Sequence, residues 1–265
     1  MITIKHPIEF PNTYPLDRIG SLKDILFFDI ETTGFSGETS QLYLIGCTYF
    51  DGFGWKLIQW FADTRQAEKE LLDAFFAFLK RFKILVHFNG DRFDIPYLLK
   101  CCERLGLDYN FDDLVSIDIF KKIKPYRKLL KLENMKQKSI EQFLGVYRED
   151  KYNGGQLIEV YRDYLHTHEK YLFDLLILHN ADDLRGMPSI LPILNYADLF
   201  GSDFTLCSHK LYSYRDEAGY SHPFVNLLWE SPYNIPVPLE YSVTPLSLEL
   251  HDNCLACNIN LYEGT

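Results

Sequence analysis

Apolar residues come in short, bounded runs over the first half of the chain. The runs at 25–30, 42–50 and 55–61 read as strands, and Asp51-Gly52 with Gly54 supplies a hairpin turn between the last two. Residues 66–82 place Leu71, Leu72, Phe75, Phe76, Phe78, Leu79 and Phe82 at helical spacing, so they predict an amphipathic helix. "ILVHF" at 84–88 is a buried strand, 94–105 is helical and 114–119 is again strand-like. Ser139 is positioned to cap a short helix carrying Ile140, Phe143 and Leu144 and ended by Gly145. "YNGGQ" at 152–156 reads as a loop, followed by helices over 156–166 and 169–185 and a shorter helix past Pro188. Residues 1–24, with Pro7, Pro11 and Pro15, predict a loosely structured arm. A strand meander followed by alternating strands and helices implies a mixed α/β sheet covered by helices.

Beyond about residue 203 the helical period is lost. "LEYSVTPLSLELHDNCLACNINLY" alternates as strands do around a His-Asp-Asn turn. Three segments are therefore expected: an arm over 1–24, a main domain over 25–202 and a β-rich appendage over 203–265. Because the chain stops at Gly264-Thr265, just after a strand-like run, the appendage is expected to be truncated there.

Chemistry enters through the carboxylates. In "FFDIETTGF" (27–35) Asp29 and Glu31 are two apart on a strand, so they share a face. Like charges side by side repel, and a divalent cation between them removes the cost. In "HFNGDRFDIPYLL" (87–99) Asn89-Gly90 turns the chain and Asp94 opens a helix; Asp94 either caps that helix or coordinates a cation. In "LLILHNADDLRGM" (175–187) His179 and Asp183 lie four apart on one helical face, either as a surface pair or as a base beside a carboxylate. Asp182 lies off that face. Together the three clusters meet the needs of phosphodiester hydrolysis, in which two divalent ions about 3.5–4 Å apart activate water and stabilise the leaving oxygen. Mg²⁺ or Mn²⁺ takes carboxylate oxygens of the kind Asp29, Glu31, Asp94 and Asp183 offer, and His179 can accept the water's proton.

Composition narrows the setting. A hydrophobic share of 47% over 265 residues is enough for one large core, and no apolar run is long enough to span a bilayer. Six scattered cysteines favour a reducing, cytoplasmic setting over a disulfide framework. The Cys254-x-x-Cys257 pair near His251 sits in strand alternation, which accounts for it without zinc. The net charge of −10 argues against bulk electrostatic coating of nucleic acid. Residues 121–138 nevertheless carry Lys121, Lys122, Lys124, Arg127, Lys128, Lys131, Lys136 and Lys138 against Glu133, a local +7 that leaves −17 elsewhere. This strip is either an edge that touches phosphates or a solvated helix face.

"DIETTG", "HFNGDRFDIPYL" and "HNADD", in that order and spacing across roughly 24–195, resemble the three motifs of the DEDD superfamily of 3′–5′ exonucleases. With "SIEQFLG" between the second and third, the run is most similar to a bacterial branch of ribonuclease H-like putative exonucleases. The resemblance implies a ribonuclease H-like mixed five-stranded sheet of order 3-2-1-4-5, with a two-ion site at the edge of its first strand. It also implies that Asp29, Glu31, Asp94 and Asp183 bind Mg²⁺ or Mn²⁺ and that His179 is the general base. By the same likeness, Thr32 contacts the terminal nucleotide through its backbone, and Asn89 faces the site. One departure stands out: the histidine subclass spaces its base five residues before the last Asp, whereas His179 precedes Asp183 by four. The implied activity is exonucleolytic hydrolysis at single-stranded DNA or RNA 3′ ends, with no membrane involved. The alternative is a catalytically weak or inactive nucleic-acid-binding module of the same fold.

Overall fold

A computed structural model describes residues 1–147 and 154–262. The chain begins with β1 (Ile2–Pro7), β2 (Ile25–Thr32), β3 (Leu42–Phe50) and β4 (Trp55–Phe61), followed by α1 (Glu68–Leu79), β5 (Ile84–His87), α2 (Asp94–Leu105) and β6 (Val115–Asp118). Five helices follow: α3 (Ile119–Ile123), α4 (Gln137–Phe143), α5 (Gly154–Thr167), α6 (Lys170–Ile190) and α7 (Leu194–Phe200). Five strands end the chain: β7 (Thr205–Arg215), β8 (Ser221–Glu230), β9 (Leu239–Val243), β10 (Leu246–His251) and β11 (Cys254–Asn260). The chain forms two compact units, Met1–Lys121 with Tyr147–Ile190, and Lys122–Val146 with Leu191–Thr265. The division therefore does not fall at 202/203, because residues 122–146 and 191–202 group with the C-terminal strands.

In the first unit the sheet order is β1-β4-β3-β2-β5-β6. Apart from β1, its five strands are the expected 3-2-1-4-5 arrangement, with β2 antiparallel to β3 and parallel to β5. β2 is central, and Ile25, Leu26, Phe27 and Phe28 are fully buried. Helix α1 packs Leu71, Leu72, Phe75, Phe76 and Leu79 into the core. Helix α2 ends where Gly106 adopts φ 65° and closes the last turn, a conformation that favours glycine.

The expected loose arm is corrected in part. Residues 2–7 pair antiparallel with β4 as an edge strand, their side chains alternating between half-buried and exposed. Pro7 ends that strand at the edge of the sheet, where a missing N–H is tolerated. Ser139 is likewise not a cap: α4 begins at Gln137, and the Ser139 hydroxyl bonds Asn134 Oδ1 at 2.7 Å. Helix α6 does not stop before Pro188 but continues through it to Ile190. The loop expected at 152–156 lies partly outside the described residues, which resume at Gly154 as the start of α5; Gly264-Thr265 lie outside them entirely.

The second unit holds an antiparallel sheet of order β7-β8-β11-β10-β9. Leu129, Phe200, Leu239, Leu250 and Leu255 gather on one side of it, and Tyr126 stacks on Phe200 with ring centroids 5.4 Å apart. Ile123, Leu130, Leu132 and Ile140 are buried, whereas every basic side chain of the 121–138 strip is exposed. Cys254 pairs across the sheet with His251, and Cys257, three residues on, points to the opposite face. That placement gives the two cysteines no common ion.

Candidate metal centre

Alternation along β2 puts Asp29 and Glu31 on one face while Ile30, 6% exposed, turns into the core on the other. The ladder to β3 shifts register between Glu31 and Thr32, a bulge that ends the regular strand beside the carboxylates. Thr32 turns its hydroxyl to the Gly34 carbonyl at 2.7 Å.

The second group of ligand candidates depends on how α6 reaches this face. Asp29, Gly46 and Gln59 stand side by side across β2, β3 and β4. A side chain at position 46 would fill the space used by α6, since a Cβ there would lie 2.0 Å from Asn180 Oδ1 and 2.4 Å from Leu184 Cδ1. With glycine in the middle, Gln59 Nε2 donates to Asn180 Oδ1 at 2.9 Å and Asn180 Nδ2 donates to Asp29 Oδ2 at 2.9 Å. Gln59 Nε2 also donates to the Ile177 carbonyl at 3.0 Å. Asn180 is fully buried. This relay holds α6 over β2 and orients the Asp29 carboxylate.

His179 and Asp183 then fall over the end of β2. His179 Nε2 lies 3.5 Å from Asp183 Oδ2 and 3.8 Å from Glu31 Oε1. Ligand atoms of Glu31, His179 and Asp183 all lie within 4.8 Å of one another. Asp182 turns away and pairs with Arg185 at 2.9 Å. Asp94, the first residue of α2, is 6% exposed, and its carboxylate accepts the backbone N–H groups of Ile30 and of Asp94 itself.

A polar network fixes the turn that delivers Asp94. Asn89 holds φ 64°, and its N–H donates to Asp118 Oδ1 at 2.9 Å. Asp118, 3% exposed, also accepts the N–H groups of Asp91 and Lys121 at 3.3 and 3.2 Å. His87 is 1% exposed, and its Nδ1 accepts the Gly90 N–H at 3.0 Å. Its Nε2 must then carry the proton and donate to Ser116 Oγ at 2.8 Å, while Ser116 donates to Asp91. His87, Asp91 and Asp118 form a second cluster of ligand-type atoms. The hydrogen bonds within it account for their placement.

The electrostatics of the first cluster favour a cation among its carboxylates. Burial, then Glu31, Asp94 and Asp183, push the Asp29 carboxyl well above its ordinary range, against the opposing Asn180 hydrogen bond. Burial, then Asp183 and Asp94, do the same to Glu31, against a hydrogen bond from Tyr43. Burial raises Asp94 to about 7, with Asp118 adding to the shift and the backbone donors opposing it. Buried carboxylates that raise one another are offset by a cation placed among them. The donor set, carboxylate oxygens with one imidazole alongside, fits a hard divalent ion such as Mg²⁺ or Mn²⁺.

Residues 26–195 match the family model described as the RNase_H superfamily. The chain belongs to the RNase_H superfamily. The match covers almost the same span as the three DEDD-like motifs. Among curated relatives of this RNase_H superfamily chain, the DNA polymerase of Thermococcus kodakarensis is 33% identical over 104 residues, covering 36% of this chain and 6% of the polymerase. The DNA polymerase of Thermococcus sp. (strain 9oN-7) is 34% identical over 96 residues, covering 32% of this chain and 12% of the polymerase. The chain thus corresponds to a small part of these relatives. Its fold is shared with the family B DNA polymerase of the hyperthermophilic archaeon Pyrobaculum calidifontis (TM-score 0.54, 16% identity, 66% of this chain and 25% of that chain).

Of the residues singled out by sequence, Asp29, Glu31, Asp94, His179 and Asp183 converge. Thr32 ends β2 at the bulge, next to Glu31, and Asn89 lies in the turn after β5. Sequence reading missed Asn180, Gln59, Gly46 and Tyr43. The available signals were a glycine inside the apolar run "LYLIGCTYF" and an amide beside His179.

Proposed function

We propose that this protein is a divalent-metal-dependent 3′–5′ exonuclease acting on single-stranded DNA or RNA ends. The observation that carries this reading is the convergence of Asp29, Glu31, Asp94 and Asp183, whose charges burden one another, with His179 between Glu31 and Asp183. The four carboxylates would hold two Mg²⁺ or Mn²⁺ ions, which supply neutralisation of the phosphate and a more acidic water when bound. His179 Nε2, which lies between the Glu31 and Asp183 carboxylates, takes the proton of the attacking water. The four-residue spacing to Asp183 departs from the five of the histidine subclass and sets both side chains on one face of α6. Asn180 keeps Asp29 turned toward the site. The backbone at Thr32 and the Asn89 side chain hold the terminal nucleotide, and the exposed strip 121–138 adds contacts to the phosphate backbone. Similarity to archaeal DNA polymerases favours DNA as one substrate.

The test is degradation of 5′-labelled single-stranded DNA and RNA oligomers in Mn²⁺, with wild type beside Asp183→Asn. The wild type is expected to shorten the strands progressively from the 3′ end and the variant to leave them at background. Strands left intact by wild type, while a known exonuclease digests them in parallel, contradict the reading. Binding without cleavage would assign the chain to the non-catalytic alternative.

A further inference from the structure

A second cavity, of about 380 Å³, opens beside the loop that leaves Glu31. Arginines from three separate elements line it: Arg65 just before α1, Arg104 on α2 and Arg162 on α5. Thr33 and Thr39 of the loop add hydroxyls. Arg65 and Arg162 are exposed.

The two carboxylates of the cavity wall are already engaged. Glu68, 5% exposed, accepts Arg104 Nη2 and the Leu42 N–H through Oε1, each at 2.8 Å. Glu38 pairs with Lys100 at 2.9 Å. Arg104 also donates Nε–H to the Gly37 carbonyl at 2.8 Å, which leaves Nη1 of its fork for another acceptor. Thr33 Oγ1 accepts the Gln41 N–H at 2.9 Å, so its own O–H is a donor. Arg162 Nη1 pairs with Glu159 at 2.5 Å. The wall still presents donors that these carboxylates do not use, on Arg65, on Arg104 Nη1 and on the Thr33 hydroxyl. Forked N–H donors gathered from distant parts of the sequence match the geometry of a planar or tetrahedral oxyanion.

We infer that the cavity walled by Arg65, Arg104, Arg162 and Thr33 binds a phosphate group. The phosphate belongs either to the backbone of a bound strand or to a free phosphate or mononucleotide. The strand source rests on the nuclease reading above, whereas the free source does not. In both cases the ligand touches the loop 33–41, whose ends meet through the Thr33 N–H to Gln41 carbonyl bond at 2.9 Å, two residues after Glu31.

The test compares wild type, Arg65→Gln/Arg162→Gln and a control, Lys83→Gln/Lys170→Gln. The control removes the same charge from exposed sites elsewhere, with side chains 74% and 86% exposed. Arg104 is left in place because its loss would strand Glu68. Binding of a fluorescein-labelled oligothymidylate is measured in EDTA by anisotropy against salt. Thermal shift is measured separately with inorganic phosphate and with thymidine monophosphate.

If the phosphate is a strand's, the arginine variant weakens oligomer binding roughly tenfold at low salt and lowers the salt slope by about 0.7 per lost contact, while the control does neither. If it is free, phosphate and mononucleotide raise the wild-type melting temperature and leave the arginine variant unmoved. An arginine variant indistinguishable from the control in both measurements overturns the inference. Should wild type neither bind nor digest oligomers, the nuclease reading falls, and the inorganic phosphate shift alone decides the cavity.

Discussion

Asp94 is subject to two opposed influences: the backbone N–H groups of Ile30 and of Asp94 itself, which favour the charged carboxylate, and burial, which disfavours it. Burial wins and raises the group to about 7. Between the unfolded value near 3.8 and the folded value near 7, the native state binds a proton that the unfolded chain does not. Stability of the metal-free protein should therefore fall as pH rises through that window, by an amount on the order of a few kcal/mol. Asp29 and Glu31 shift in the same direction and add to the trend. The melting temperature in EDTA is expected to drop by several degrees from pH 5 to pH 8, and Mg²⁺ is expected to flatten the profile. A metal-free profile that is flat or rising contradicts the charge burden argued for the cluster. For His179, replacement by Gln is expected to lower the cleavage rate by about 10²–10⁴ while Mn²⁺ binding persists, measured as kcat beside a metal titration. These five residues were legible because strand and helix periods within each motif bring them to common faces. Asn180 and Gln59 were not, since their roles depend on strand register and on where a helix crosses the sheet.

At the level of elements, the site depends on α6 crossing β2, β3 and β4 at close range, and Gly46 permits that approach. Gly46→Ala places a methyl 2.0 Å from Asn180 Oδ1, so either the amide relay breaks or α6 moves outward. The expected cost is about 1–3 kcal/mol of stability together with a loss of activity. Denaturant unfolding and oligomer digestion check the two separately, and a fully active, equally stable variant would show that α6 has slack here. Most element positions followed directly from pattern: β3, β4 and α2 occupy the residues that periodicity assigned to them. The exceptions share a cause, which is tertiary packing overriding local preference. Pro188 sits inside α6 although an interior proline costs about 3 kcal/mol, and the buried Met187, Ile190 and Leu191 around it hold the helix in place. β1 escaped notice because three prolines dominate residues 1–24, yet "ITIKHP" alternates as an edge strand should.

For the molecule as a whole, charge distribution matters more than net charge. A chain of −10 has little long-range attraction for nucleic acid, so the proposed binding would rest on local features such as the exposed strip 121–138. Lys122→Gln/Lys124→Gln/Lys128→Gln is expected to weaken binding of single-stranded oligomers and reduce the salt slope by about 2, at about 0.7 per contact. An unchanged slope would leave the strip as a solvated surface. The strands of the main sheet were readable from alternation, and their order from the resemblance to the DEDD exonucleases. The grouping of 122–146 with the C-terminal strands was not, because contacts such as Tyr126 on Phe200 join residues far apart in sequence.

The most direct test is calorimetric titration of Mn²⁺ into wild type and Asp29→Asn at neutral pH. If the carboxylates of β2, α2 and α6 form one cation site, wild type binds two ions per chain and the variant loses at least one of them. Identical isotherms for the two proteins would mean that these side chains do not share a bound metal.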